Sequence, residues 1–560
     1  MSFPKINLLS SKTIDAQFSP DQILAILLKN RQIKSSLFSS FLTPPHPDQL
    51  TLTDFSLSKL QLKKAVDTIK KTIKDQQNIL IYGDYDVDGI TATAILWQSL
   101  YSLGAKVFPF IPHRDKDGYG LNFFSFTRLQ KQKKIKYDLI ITVDNGISAA
   151  SDIKKITKTG AKIIVVDHHL APSYPPPAFA LLHSSLTSAS VLAWFLAKQL
   201  VSSPDLGLAA LGLVADCQPL LSLNRHFVYH GLNSLRHHPS LGINTMLSLA
   251  KISPPDLSAY HLGFVLGPQI NAIGRLDDPL DALRLLCATS LSQARPLAQK
   301  LASFNLNRQS LQKEAINLAL SFPPRPSDRL IFQARSQFHP GLIGLVAGHL
   351  AQTYFLPSVI ISRQKHISKG SCRSIPQLNI IDTLRRFPSL FVDLGGHSAA
   401  AGFTLKTKNI PLLRQKLKTY LQKKLAKVDL SPLITVDASA KLSALKIQNI
   451  KAIARLAPFG IGNSTPLFYF SGLRLVSFRQ VGSDLSHLKL SLDDPNTAKT
   501  EKISTSVDAI AFQKGHLASS LKTSSPIDLI ASLDLNTWAN RITPQLVVKE
   551  ISPSFDIIKT

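Results

Sequence analysis

Cysteine, acidic residues and long apolar runs are what this sequence has least of. Its 560 residues include three cysteines, Cys217, Cys287 and Cys372, in no CxxC pair. An odd, scattered set builds neither a disulfide framework nor a zinc site, and it fits a reducing compartment. No stretch reaches the roughly 18 uninterrupted apolar residues of a membrane span, and the opening MSFPKINLLSSKTIDAQF lacks the apolar core of a signal peptide. The expected location is the cytoplasm, with no membrane partner. Acids number 36 against 64 lysines and arginines, a formal net charge of +28. Charged residues are 18% of the chain, below the roughly 25% of ordinary globular domains, so the basicity comes from missing acids. An acidic scaffold or halophilic surface is excluded. A polyanion is the expected partner, nucleic acid before membrane, and any cluster of carboxylates stands out.

What is present is enough hydrophobic sequence, 44%, for three or four domains at roughly 150 residues each. Between residues 60 and 220 short apolar runs alternate with helical stretches: NILIY, TATAILWQSLYSLGA, DLIITVDNG and KIIVVDHH. The runs are apolar throughout, as for parallel strands covered on both faces, and their C-terminal ends carry aspartate, where ligand sites of such sheets lie. The fold class expected is α/β, with a parallel-sheet domain over 55–225 after an N-terminal extension (1–54). A Leu- and Ala-rich helical connector over 226–325 ends at SFPPRPSD. A second α/β domain follows over 326–428. The short, alternating, turn-rich segments of 429–560 predict a small antiparallel β-barrel of the oligonucleotide-binding type.

GDYDVDG places Asp84, Asp86 and Asp88 in a loop between a strand and a helix, where alternate residues can turn carboxylates toward one point. Two carboxylates about 4 Å apart repel by roughly 1 to 4 kcal/mol, so the grouping calls for cations. The spacing also opens an EF-hand calcium loop, but the twelfth position holds Ile95 in place of the required Glu, and a strand precedes the loop. A polar turn capping a helix is the plain alternative for this motif alone. The other strand ends alter the balance: VDNG adds Asp144, VVDHHL adds Asp167, His168 and His169, and LGLVADCQPL adds Asp216. Carboxylates with one or two imidazoles suit Mn2+ or Mg2+ better than zinc, and shared ligands permit two ions. That is the chemistry of phosphoryl transfer.

In that order, GDYDVDG, VDNGIS, VVDHHL and LGLVADCQPL resemble the N-terminal motifs of the DHH phosphoesterases, whose name matches Asp167, His168 and His169. GPQINAIGRLDDP, FHPGLIGLVAGHLAQ, KGSCRSI, GGHSAAAGF, APFGIGNSTPLF, SHLKLSL and LNTWANRITPQL resemble the family's bacterial exonucleases that act 5′ to 3′ on single-stranded DNA. The resemblance implies that Asp86, Asp88, Asp144, His168 and Asp216 hold two metal ions, with Asp84 a further ligand, and that His169 contacts the scissile phosphate. It implies release of 5′-mononucleotides in DNA repair and recombination by a monomer, with a helicase or single-strand-binding protein as partner. Two positions depart from the pattern. Tyr82 stands where some members carry a metal-binding His, which shifts weight to Asp84, and Cys372 replaces the usual Gly or Ala of its turn.

Nucleic-acid contacts are expected at Ser371 and Arg373 of KGSCRS and at His397 of GGHSAAAG, where small residues let backbone N–H groups approach a phosphate. Tight turns in a packed domain are the alternative. Arg275 with Asn271, and Arg114, could steady the DNA backbone or form surface ion pairs with neighbouring aspartates. In the barrel, Phe468, Tyr469, Phe470, His487, Lys489, Trp538 and Arg541 mix aromatics with cations as a single-strand stacking groove does, though part of the set belongs to the core. Two other readings stay open: a hydrolase of short oligonucleotides or cyclic dinucleotides, and a non-catalytic single-strand-binding scaffold on the same fold.

Overall fold

The computed structural model describes residues 4–113, 116–118, 120–495, 506–538 and 541–559, and leaves aside the side chains of 275, 276, 538, 558 and 559. Its described residues form two compact units, one within residues 4–301 and 433–559 and the other within residues 302–432.

In the first unit, five parallel strands form one sheet in the order Lys106–Phe110, Asn78–Tyr82, Leu139–Val143, Lys162–Asp167 and Ala180–His183. Their apolar runs are buried on both faces, as parallel strands between helical layers must be. One face packs Ile79, Ile81, Ile141 and Val166 against the helices Val87–Ser102, Ala189–Lys198 and Leu206–Ala215. The other packs Leu80, Ile140 and Val165 with Phe126, Ile153 and Ile156. Helix Val87–Ser102 is buried at every one of its first ten positions, which explains its small residues, Gly89, Ala92, Thr93 and Ala94. The helical stretch continues through Ser222–His237, Leu241–Leu249 and Gly267–Leu276. Leu262–Leu266 is a π-helical turn.

The same unit contains the barrel. Phe468–Val481, His487–Asp493, Val507–Ala511, Arg541–Ser552 and Pro526–Trp538 pair in that order, and the last pairs with the first, closing a five-stranded ring. The N-terminal segment is built into it. Lys5–Leu8 lies between Leu433–Val436 and Ile557–Lys559, Thr13–Ile14 pairs with Ala438–Ala440, and helix Pro20–Asn30 buries Leu24 and Leu27 in the core that holds Ile450 and Ile453. A Ser19–Gln22 capping box starts that helix.

The second unit is a five-stranded sheet in the order Phe391–Gly396, Ala400–Lys406, Ile367–Arg373, Ser358–Ser362 and Ile331–Arg335, of which only the last two are parallel. Helix Ile343–Tyr354 covers one face; Ile380–Arg385 and Ile410–Lys424 belong to the core of the other. Cys372 is buried in that core, a small apolar filler. Leu291–Leu320 is one helix, with Ala294 and Ala298 in the core of the first unit and Ala315 and Ala319 in that of the second. Among the described residues no helix is long and apolar enough to cross a membrane.

Candidate metal centre

The acid-tipped strands converge because parallel strands present all their C-terminal ends at one edge. After Tyr82 the chain turns into helix Val87–Ser102, with Asp86 as its N-cap: the Asp86 carboxylate accepts the Gly89 N–H at 3.1 Å. Asp84 is buried beneath this turn, and a Cβ on Gly89 would lie 2.7 Å from the Asp84 backbone, so only glycine fits there. Asp88 occupies the first helical turn. Its two carboxylate oxygens accept the N–H groups of Ala189 at 2.6 Å and Ser190 at 3.0 Å, the start of a second helix, where the macrodipole favours a negative charge. Asp144 follows its strand at φ +64°, a left-handed conformation that a non-glycine residue adopts at a cost and that is common at functional sites. Asp216 ends helix Leu206–Ala215 and accepts Gln218 Nε2 at 2.8 Å.

His168 Nε2 stands at the centre, 3.1 Å from Asp144 Oδ1, 3.7 Å from Asp216 Oδ2 and 3.8 Å from Asp88 Oδ2. Three overlapping donor sets result, each with its ligand atoms within 4.8 Å of one another: Asp84, Asp86 and Asp144; Asp88, His168 and Asp216; Asp144, His168 and His169. Asp167 plays a different part. Its Oδ1 accepts the N–H groups of His168 at 2.7 Å and His169 at 3.1 Å and meets His169 Nδ1 at 2.8 Å, while Oδ2 accepts the Ile147 N–H at 2.9 Å. It fixes the histidine pair.

Burial, then the charges of Asp86 and Asp88, push Asp144 well above the ordinary carboxylate range. Burial and Asp88 push Asp86 up in the same way and carry Asp216 to about 8. Four carboxylates with little solvent repel one another, and divalent cations would remove that repulsion. The donor set of oxygens with one or two imidazole nitrogens fits Mn2+ or Mg2+. Burial also lowers His168, favouring the neutral ring that a metal ligand requires. For His169 burial acts in the same sense, but the Asp167 carboxylate overcomes it and holds this ring above its ordinary value.

The structure thus gathers Asp84, Asp86, Asp88, Asp144, His168, His169 and Asp216 at one point. The expected nucleic-acid residues fare variously. Asn271 Oδ1 accepts the Val87 N–H at 3.2 Å and so braces the metal loop. Arg114 and the side chains of Arg275 and Trp538 lie outside the described residues. In the second unit, Arg373 donates to Ser371 Oγ at 3.3 Å and to the Cys372 carbonyl at 2.9 Å, and both side chains approach Gly344 in the first turn of helix Ile343–Tyr354. His397 is exposed in the turn between two strands, its N–H donating to the Ala400 carbonyl. Lys489 pairs with Asp508 at 2.8 Å. Tyr82 is buried, and its hydroxyl donates to the Gly120 carbonyl at 3.2 Å.

Sequence reasoning gave no role to Gln218, Asn145, Gly274, Ala189 or Ser190. Asn145 donates to the carbonyls of Tyr82 at 3.2 Å and Val143 at 2.9 Å and ties two strand ends together. A Cβ on Gly274 would stand 2.5 Å from the Tyr85 carbonyl oxygen, so helix Gly267–Leu276 rests directly on the metal loop. Gln218, Asn145 and Gly274 lie within quoted motifs and could have been flagged by position; Ala189 and Ser190 are remote in sequence and carry no local signal.

Comparison with known proteins places three family models along the chain: the DHH family, N-terminal domain, over residues 78–219, the DHHA1 domain over 327–423 and the RecJ OB domain over 436–550. The single-stranded-DNA-specific exonuclease RecJ of Bacillus subtilis (strain 168) is 31% identical over 509 residues, 88% of this chain and 63% of that protein, so the chain spans less than two thirds of this relative's length. The crystal structure of RecJ in complex with Mn2+ from Thermus thermophilus superposes with a TM-score of 0.81 at 25% identity, covering 98% of this chain and 79% of that one. A crystal structure of exonuclease RecJ bound to manganese is 30% identical with a TM-score of 0.57, covering 66% of this chain and 97% of the other.

Proposed function

We propose that this chain, which belongs to the RecJ family, is a metal-dependent exonuclease that hydrolyses single-stranded DNA from its 5′ end to 5′-mononucleotides, in repair and recombination. The observation that carries the reading is the convergence of three overlapping carboxylate and imidazole donor sets on one sheet edge. Asp84, Asp86, Asp88, Asp144, His168 and Asp216 would hold two Mn2+ or Mg2+ ions. Such ions supply positive charge against the developing charge of the phosphate and a water acidic enough to attack at neutral pH. The chain's own residues set the geometry. Two helix N-termini hold Asp86 and Asp88, so neither carboxylate must reorganise as substrate arrives. His169, 45% exposed and held by Asp167 at Nδ1, is the ring we assign to contact with the scissile phosphate. In the second unit Arg373 and Ser371, beside a glycine of a helix's first turn, form the anion site we assign to a DNA phosphate.

The barrel supports a substrate longer than a dinucleotide, and a helicase or single-strand-binding protein is the partner expected to supply strand ends to a monomer. With 5′-labelled single-stranded DNA and Mn2+, the expected result is labelled mononucleotide whose release stops on adding chelator. Asp144→Ala is expected to abolish release. Absence of chelator-sensitive release, or equal activity on blunt duplex, overturns the proposal.

A further inference from the structure

The segment that follows Asp216 is pinned to the loop of residues 457–463 that leads into the barrel. The Leu220 N–H donates to the Ile461 carbonyl at 2.7 Å, and a Cβ on Gly460 would lie 2.6 Å from the Leu220 side chain. Buried Arg225 fastens the start of that loop, donating to the Ala457 carbonyl at 2.8 Å and to the Phe41 carbonyl at 2.7 Å. Cys217 makes the bend at φ +59°, and the Gln218 N–H returns to the Leu213 carbonyl at 3.3 Å. Gln218 is thereby held in a fixed place beside the metal centre. Its side-chain nitrogen stands 2.8 Å from Asp216 Oδ2 and 3.5 Å from His168 Nδ1. One amide thus faces two members of a single donor set, Asp88, His168 and Asp216, whereas Asp84, Asp86 and Asp144 form another.

His168 turns Nε2 toward the carboxylates of Asp144, Asp216 and Asp88 and Nδ1 toward Gln218. An imidazole that ligates through one nitrogen carries its hydrogen on the other, and that N–H needs an acceptor. An empty site makes the opposite demand, because Asp216 then stands among like charges and needs a donor. A primary amide has a donor end and an acceptor end of similar size, exchanged by a half-turn of the last side-chain bond. We propose that Gln218 is a positioning residue for one of the two ions: its amide nitrogen holds Asp216 while the site is empty, and its amide oxygen takes the His168 Nδ1 hydrogen once the ion is bound. The same turn releases Asp216 Oδ2 and fixes the His168 ring with a bare Nε2 toward the site. The proposal rests on the two-ion reading of the centre.

Mn2+ binding to the unmodified protein and to variants of Gln218, without DNA, tests it by calorimetry and by the electron paramagnetic resonance signal of free Mn2+. The parent should take up two ions. Gln218→Met keeps the length and loses both polar ends, so one binding step should weaken about 10- to 100-fold while the other stays at the parent's value. Gln218→Glu keeps an acceptor for the ring N–H and should bind at that step at least as tightly as the parent. Gln218→Lys keeps only a donor and should bind weakest. Charge alone would leave the Met variant at the parent's affinity, and a displaced loop would weaken the Glu variant with it or both steps alike; any of these results overturns the positioning role and leaves the nuclease reading standing. The expected series in a protein that hydrolyses no single-stranded DNA sinks the nuclease reading instead, and a parent that takes up no Mn2+ overturns both.

Discussion

Asp216 lies against like charges with little water, and its carboxyl titrates near 8. Asp86 is raised by burial and Asp88, and Asp144 by burial and then by Asp86 and Asp88. A group whose folded pKa is raised lends stability that is complete below the unfolded value, near 4 for Asp, and that is lost as pH rises through the folded value. The metal-free protein is therefore expected to melt lower at about pH 8.5 than at about pH 6, by on the order of 5 °C. Saturating Mn2+ should remove most of that drop, and Asp216→Asn should flatten it. Calorimetry in chelator, then with metal, checks this; a melting temperature that climbs over the interval in chelator contradicts it. These acids were legible in the sequence because each ends a short apolar run in a local motif. The partners of Asp88 were not, since Ala189 and Ser190 contribute only backbone N–H groups.

Helix Gly267–Leu276, itself within a motif, shows how an element far in sequence from the metal loop sets its geometry. It supplies Asn271 to the start of helix Val87–Ser102 and meets the Tyr85 carbonyl with a bare glycine. Gly274→Ala puts a methyl group 2.5 Å from that oxygen, so helix or loop must shift. Shifts of the supporting shell typically cost about 10- to 100-fold in metal affinity, and that loss is the expected result of a Mn2+ titration of the variant. An unchanged affinity would show that the loop holds its shape by itself. The α/β alternation and the barrel's turn-rich pattern announced themselves through periodicity. The aromatic triplet of the barrel was harder to place: Phe468 and Phe470 belong to the main barrel core, while Tyr469 packs in the separate cluster with Ile6 of the N-terminal strand. Alternation alone would expose one face, and the strand that covers it lies hundreds of residues away.

At the scale of the whole molecule, a +28 chain gathers Asp84, Asp86, Asp88, Asp144, Asp167 and Asp216 at one edge of one sheet, so the remaining surface is more basic than the average. Binding of a single strand should then release counterions. With Asp144→Ala, so that the strand survives, affinity is expected to fall roughly 10- to 100-fold between about 50 and 200 mM salt. A salt-independent affinity would refute an electrostatic track. The N-terminal strand carries a further consequence. Ile6 pairs with Ile434 and with Ile557, so this strand must wait for partners made hundreds of residues after it before its sheet is complete. Contacts this remote in sequence are slow to close, and a nascent chain holding a bare strand edge is open to wrong pairing meanwhile. The parallel sheet of residues 78–183 can assemble during synthesis, whereas the three-stranded sheet with Ile6 at its centre can only be finished after it.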